Sequence, residues 1–203
     1  MPVEFTKITG PSQLIGLWRI EDQNNLTSRG NVAFQRSYEV SHTEACRELI
    51  KAITGIENLV IDKDKYGKPF IQNNKSFISF SHSGNYAAAI LNKEASVGID
   101  IQLKKDKIVR LANKFCSEQE LQYINQVDQI DYLHIIWGAK EAMFKQYGKG
   151  EVLFKEHIFV HPFNLKESGS ITVTFKKHAL VQTVNFDYQC NEDYYLVYTA
   201  SNL

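Results

Sequence analysis

The sequence is short of cysteine, of net charge and of long apolar runs, and each shortage excludes something. Its three cysteines, Cys46, Cys116 and Cys190, lie far apart with no C-x-x-C pair. That argues against a disulfide framework or a zinc site and fits a reducing compartment. Lys plus Arg number 23 and Asp plus Glu 23, so the formal charge is zero. A general nucleic-acid binder carries a basic excess, and any anion site here must be local. No window approaches ~18 apolar residues, so no membrane span is expected. The opening MPVEFTKITG has no apolar run behind a basic stretch, so no signal peptide is expected and the chain reads as cytoplasmic. Repeats, low-complexity segments and a G-x-S-x-G nucleophile elbow are missing as well.

What is present suffices for a real core: 43 % of the 203 residues are hydrophobic and 12 % aromatic. QLIGLWRI reads as a strand. SHTEACRELIKAITG reads as a helix, with Ser41 and Glu44 in capping-box spacing and Gly55 as its stop. DKDKYGKPFI is a polar turn entering a strand. SFISF and YAAAIL form a hairpin or strand-loop-strand around SHSGN. SVGIDIQ is the next strand, and residues 106–147 then change to helical period. In QIDYLHIIWGAKEAMFKQYG, Ile136, Ala139 and Met143 make an apolar stripe, and Gly148 is a natural stop. The tail returns to strands. Strands and a helix, then helices, then strands predict an α+β fold, with a boundary near residue 95 dividing residues 1–95 from 96–203.

In ASVGIDIQ, Val97, Ile99 and Ile101 leave one face of the strand while Gly98, Asp100 and Gln102 leave the other. A buried, unpaired carboxylate is costly, so Asp100 must face water, a hydrogen-bonding partner or a cation. Trp137, Glu141 and Lys145 share one face of the long helix. Taken alone, Glu141 and Lys145 are an exposed i,i+4 pair. A sharper reading sets Glu141 across a cleft from Asp100, where two carboxylates and the Gln102 amide oxygen suit Mg²⁺. Spacing alone does not bring residue 100 to residue 141. SHSG at residues 81–84 allows a capped turn, a nucleophilic serine or an anion-binding loop. YGKP puts Lys68 beside a rigid proline, which by itself is a surface turn.

In order, YGKP, SFSHSG, VGIDIQ, FCSEQE and WGAKEAMFKQYGKG resemble the motifs of the 4′-phosphopantetheinyl transferases, closest to the single-chain group typified by the surfactin-synthetase activator. The resemblance spans roughly residues 64–160. It implies two similar α/β halves about a pseudo-two-fold axis, with coenzyme A between them. It also implies Mg²⁺-dependent transfer of the phosphopantetheine arm to a serine of an apo acyl or peptidyl carrier protein.

Carried over residue by residue, the resemblance makes Asp100, Gln102 and Glu141 metal ligands. It makes Lys68, Ser81, His82 and Lys145 contacts to coenzyme A, and Glu141 and Lys145 the catalytic pair. Phe115 and Glu120 fall in a block with an orienting role. Two departures stand out: Gln102 replaces a glutamate of the compared member, and the basic set near the amino terminus is thin, mainly Arg29, Arg36 and His42. The carrier is expected to dock on a basic or apolar surface, for which Lys107, Arg110 and Lys114 are candidates beside the reading of an ordinary solvated face. The protein is expected to be monomeric. Two rivals are a non-catalytic descendant that binds coenzyme A or a carrier protein, and an unrelated metal-dependent phosphohydrolase built on Asp100 and Glu141.

Overall fold

Two antiparallel sheets lie face to face, each with a helix on its outer side. The computed structural model describes residues 5–10, 12–20, 42–56 and 58–201. The first sheet collects β1 (Phe5–Gly10), β2 (Gln13–Arg19), β3 (Ile61–Lys63), β4 (Pro69–Ile71), β5 (Phe77–Ser83) and β6 (Tyr86–Asn92), in the order β1-β2-β6-β5-β4-β3. Helix α1 (His42–Thr54) covers one side of it. The second sheet has the order β7-β11-β10-β9-β8, from β7 (Ile99–Leu103), β8 (Ile158–Val160), β9 (Ser168–Lys177), β10 (Leu180–Cys190) and β11 (Tyr194–Thr199). Helices α2 (Ile108–Phe115), α3 (Glu118–Tyr123), α4 (Gln129–Tyr147) and the single turn α5 (Phe154–His157) fall between β7 and β8 in the chain. The α+β expectation therefore holds, with one sheet built from residues 5–92 and the other from 99–199. The predicted Ser41 cap lies outside the described residues.

β6 explains how the layers close. All seven of its residues are buried, because both faces are covered. Ala87, Ala89 and Leu91 meet Cys46, Leu49 and Ile50 of α1, while Ala88 and Ile90 join Ile99, Ile101, Leu196 and Tyr198 of the second sheet. A strand buried on both sides reads as an apolar run rather than an alternating one. On the far side, Ile136, Ala139 and Met143 of α4 are fully buried with Val173, Phe175 and Phe186 of the second sheet, so the predicted stripe faces the core.

β7 is an edge strand, and an edge leaves backbone groups unpaired. Its cover comes from side chains. Ser79, Ser81 and Ser83 alternate along β5; Ser79 Oγ accepts from the Ile99 amide at 3.3 Å, Ser83 Oγ accepts from the Leu103 amide at 3.1 Å, and Ser81 Oγ donates to Asp100 Oδ1 at 2.9 Å. Three hydroxyls at strand spacing thus join the sheets where, among the described residues, no backbone ladder does.

This corrects the reading of SHSGN as a loop. Ser81–Ser83 belong to β5, in register with Ala88, Ala87 and Tyr86, and the turn is only Gly84–Asn85. Adjacent strand residues leave opposite faces. Ser81 is accordingly buried against Asp100, while His82 is exposed.

Candidate functional site

The site forms where the polar face of β7 meets one face of α4. Gly98 permits the approach: a Cβ there would stand 1.8 Å from the Ala142 carbonyl oxygen. Asp100, Gln102 and Lys104 then face Lys145 and Glu141, His134, and Asp131, in that order along the helix. Two strand residues advance about 6.6 Å, whereas Glu141 to His134 is seven helix residues and His134 to Asp131 three, so the two polar rows run side by side without a common repeat.

At the inner end, Asp100 is 6 % exposed. Its Oδ1 accepts from Lys145 Nζ at 2.7 Å and from Ser81 Oγ. Lys145 Nζ also donates to the Ile99 carbonyl oxygen at 2.9 Å. Burial, reinforced by the Asp100 charge and partly offset by Lys145, pushes the Glu141 carboxyl up to about 7. Lys145 pairs with Asp100 alone and acts on Glu141 only through space, so two carboxylates stand near a single ammonium. The structure thus brings together Asp100, Glu141 and Lys145, and the exposed i,i+4 reading of Glu141 and Lys145 fails because Lys145 turns to Asp100.

Gln102 is held on both sides of its amide. Its Nε2 faces Asp100 Oδ2 at 3.4 Å and the His134 carbonyl oxygen at 3.1 Å, and its Oε1 meets His134 Nδ1 at 2.9 Å. Among the described residues no cluster of three or more His, Cys, Asp or Glu is grouped to hold a metal ion. The carboxylate donors present are Asp100 and Glu141.

Lys68 reaches the carboxyl end of α4, where Nζ donates to Ser96 Oγ at 2.6 Å and to the Gln146 carbonyl oxygen at 2.7 Å. Burial holds its ammonium below the ordinary lysine range. Lys68 and Lys145 line one cavity of about 180 Å³, together with Lys63 and Lys149. A second cavity, of about 280 Å³, lies beyond Gln102 and is lined by Lys105, Lys107, Ile108, Leu111, His134 and Trp137 among others. Lys107, Arg110 and Lys114 are all exposed.

Comparison with known proteins bears on the same segments. The model of the 4′-phosphopantetheinyl transferase superfamily matches residues 96–199, just over half of the chain. The chain belongs to that superfamily. It is 30 % identical over 125 residues to the 4′-phosphopantetheinyl transferase gsp of Aneurinibacillus migulanus, covering 60 % of this chain and 50 % of that one. It is also 30 % identical over 139 residues to psf-1 of Bacillus pumilus, another 4′-phosphopantetheinyl transferase, covering 65 % of this chain and 58 % of that one. The chain therefore spans only about half the length of the relatives it matches. No helix among the described residues is long and apolar enough to cross a membrane.

Two residues of this superfamily member escape sequence reasoning. Lys140, inside the W-x-x-K-E-A block, is wholly buried; Nζ donates to Glu120 Oε2 at 2.7 Å and to the carbonyl oxygens of Phe115, Phe154 and Ile158. Glu120 in turn accepts from the Ser117 and Val160 amides. A lysine next to a glutamate on a helix reads as surface, and only the apolar residues three and four positions away, Ile136, Trp137, Met143 and Phe144, signal otherwise. His134 is the other. Its distance from Glu141, seven residues, sets both on one helix face, and that spacing is the signal that could have found it.

Proposed function

We propose that the protein transfers the 4′-phosphopantetheine arm of coenzyme A to a serine of an apo acyl or peptidyl carrier protein, releasing adenosine 3′,5′-bisphosphate. The observation that carries this is the pairing of buried Asp100 with half-buried Lys145 beside Glu141, opening on a lysine-lined cavity, in a chain of this superfamily. Phosphoryl transfer needs positioning and charge neutralisation more than covalent help, so an enzyme with no nucleophile elbow suits it.

The serine Oγ of the carrier forms the new bond to the β-phosphorus, and the bond from that phosphorus to the bridging oxygen breaks, leaving the electron pair on the nucleotide phosphate. Glu141 is placed to help take the serine proton, directly or through water, with Lys145 and a water on the metal as the other candidates for the base. Lys145 and Lys68 hold phosphate oxygens with fixed positive charge. Ser81, fixed on Asp100, and His82, on the exposed face of β5, belong to the same contact set. Asp100 and Glu141 fit a divalent cation because they crowd two carboxylates against one ammonium. Mg²⁺ held there would supply Lewis-acid neutralisation of the pyrophosphate oxygens. Lys107, which lines the second cavity, and Arg110 and Lys114, exposed on α2, are the proposed carrier-docking surface. The same reading makes the protein a cytoplasmic monomer that binds neither nucleic acid nor membrane.

Gln102, an amide where the compared transferase has an acid, favours one second reading: binding of coenzyme A without turnover. Intact-protein mass spectrometry of apo carriers incubated with this protein, coenzyme A and Mg²⁺ separates the two. A mass gain of one phosphopantetheine arm, lost with EDTA, is expected. No gain on any carrier, with coenzyme A binding measured separately, would replace the transferase by the binding module.

A further inference from the structure

We propose that Gln102 is a positioning residue rather than a metal ligand: His134 clamps its amide oxygen, so that the amide N–H group holds Asp100. The inference rests on the proposed function, since it concerns how Asp100 is presented to metal and pyrophosphate.

The hydrogen-bond network fixes which way the amide points. The Lys105 backbone N–H donates to His134 Nε2 at 3.0 Å, which requires Nε2 to be unprotonated. The ring proton is then on Nδ1, where it donates to Gln102 Oε1 at 2.9 Å. His134 Nε2 also stands 3.2 Å from the Lys105 carbonyl oxygen, a contact that would favour the opposite tautomer. That tautomer would need the Gln102 amide reversed, setting its oxygen against two acceptors, Asp100 Oδ2 and the His134 carbonyl oxygen. The network closes only with Nδ1 protonated and the Gln102 nitrogen toward Asp100.

The clamp is itself braced. The His134 ring stacks on Tyr195 with centroids 4.4 Å apart and planes 8° from parallel. Gly138, the helix residue opposite, leaves the room: a Cβ there would stand 3.3 Å from Gln102 Nε2 and 2.8 Å from a methyl of Val197. With Oδ1 of Asp100 held by Lys145 and Ser81, and Oδ2 faced by Gln102, the carboxylate plane is set from both sides. The oxygen that the metal-ligand expectation needs from Gln102 is turned to His134, on the side of the amide away from Asp100. An outer residue that orients a ligand is as costly to lose as many ligands, by about 10- to 100-fold in affinity or activity. Loss on substitution alone therefore does not separate the two roles, whereas the part played by His134 does.

The test uses the full chain, ¹⁵N-labelled at histidine. Ring spectra are recorded without metal, with Mg²⁺ and coenzyme A, and with Mn²⁺ to verify occupancy through broadening of nearby signals. His134 should show the Nδ1–H tautomer throughout, its proton hydrogen-bonded in every state. Mn²⁺ affinity of the coenzyme A complex should fall by comparable factors, about tenfold, in Gln102→Met and in His134→Phe. The double variant should be no weaker than either single one, because both break the same clamp. A His134 tautomer or hydrogen bond that changes on adding Mg²⁺ would overturn the inference. So would a His134→Phe protein of unaltered affinity beside a weakened Gln102→Met. The spectra of the unaltered protein need no variant, so the test survives a substitution that fails to fold. Transfer to an apo carrier, measured in parallel on the unaltered protein, shows separately whether the functional reading stands.

Discussion

Lys140 Nζ and Glu120 Oε2 lie 2.7 Å apart with neither side chain exposed. The pair ties α4, one residue before Glu141, to the start of α3 and, through carbonyl oxygens, to the ends of α2 and α5. A buried pair contributes little net stability when whole, but removing one partner strands a charge. Lys140→Met should lower the unfolding free energy by about 3–5 kcal/mol, read from urea midpoints at constant slope. A loss under about 1 kcal/mol would mean that water or another cation reaches Glu120.

Glu141 and His134 should tilt stability against pH in opposite directions. In the metal-free protein the Glu141 carboxyl is raised from 4.5 to about 7 by burial and Asp100. Its charging cost is fully present above pH 7 and is relieved as pH falls towards 4.5, so this residue stabilises the fold on acidification. The His134 ring is lowered from 6.5 to about 4, chiefly by burial. Its contribution is fully present above pH 6.5 and is lost as pH falls through 4. The two contributions, each about 3 kcal/mol over its window, oppose one another and nearly cancel where the windows overlap. Measured relative to the unaltered protein, Glu141→Gln should lose stability towards acid and His134→Phe should gain it. Parallel profiles for all three proteins would contradict this.

Asp100→Ala should reduce phosphopantetheine transfer by about a hundredfold or more while far-ultraviolet circular dichroism is unchanged. Near-normal turnover would rule out Asp100 as a ligand in the proposed metal site.

The serine seam makes a prediction about backbone protection. Ser79→Ala leaves the Ile99 amide without its hydroxyl acceptor, and Ser83→Ala does the same at Leu103. Each should cost about 1–3 kcal/mol. Hydrogen exchange should speed up at the one affected amide and not along β11. Unchanged exchange at both amides would show that the hydroxyls are dispensable.

Local pattern carried most of the fold. Alternation marked β7, the period change marked α4, and Gly148, at φ 66°, ends that helix as expected. Pattern fails where a side chain does the work of a backbone. SHS reads as a loop because serines are turn residues, yet in β5 they face a neighbouring strand edge across the seam. The site was legible as separate residues: Asp100 stood out as an acid in an apolar strand, and Glu141 with Lys145 as a helix pair. Their meeting depends on Gly98 admitting the Ala142 turn of α4, a relation between residues far apart in the chain. Lys140 was hidden for a different reason, since its partners are mainly carbonyl oxygens at the ends of other elements, and carbonyls leave no trace in a sequence.

The seam at β7 has a consequence for how this protein meets other chains. A bare strand edge is a template onto which any extended segment can add, by swapping between copies or by aggregation. Hydroxyls from β5 occupy that template without extending it, so the edge beside Asp100 is closed to passing strands. An incoming partner must then approach with folded side chains rather than with spare backbone, and discrimination between partners passes from main chain to side chain.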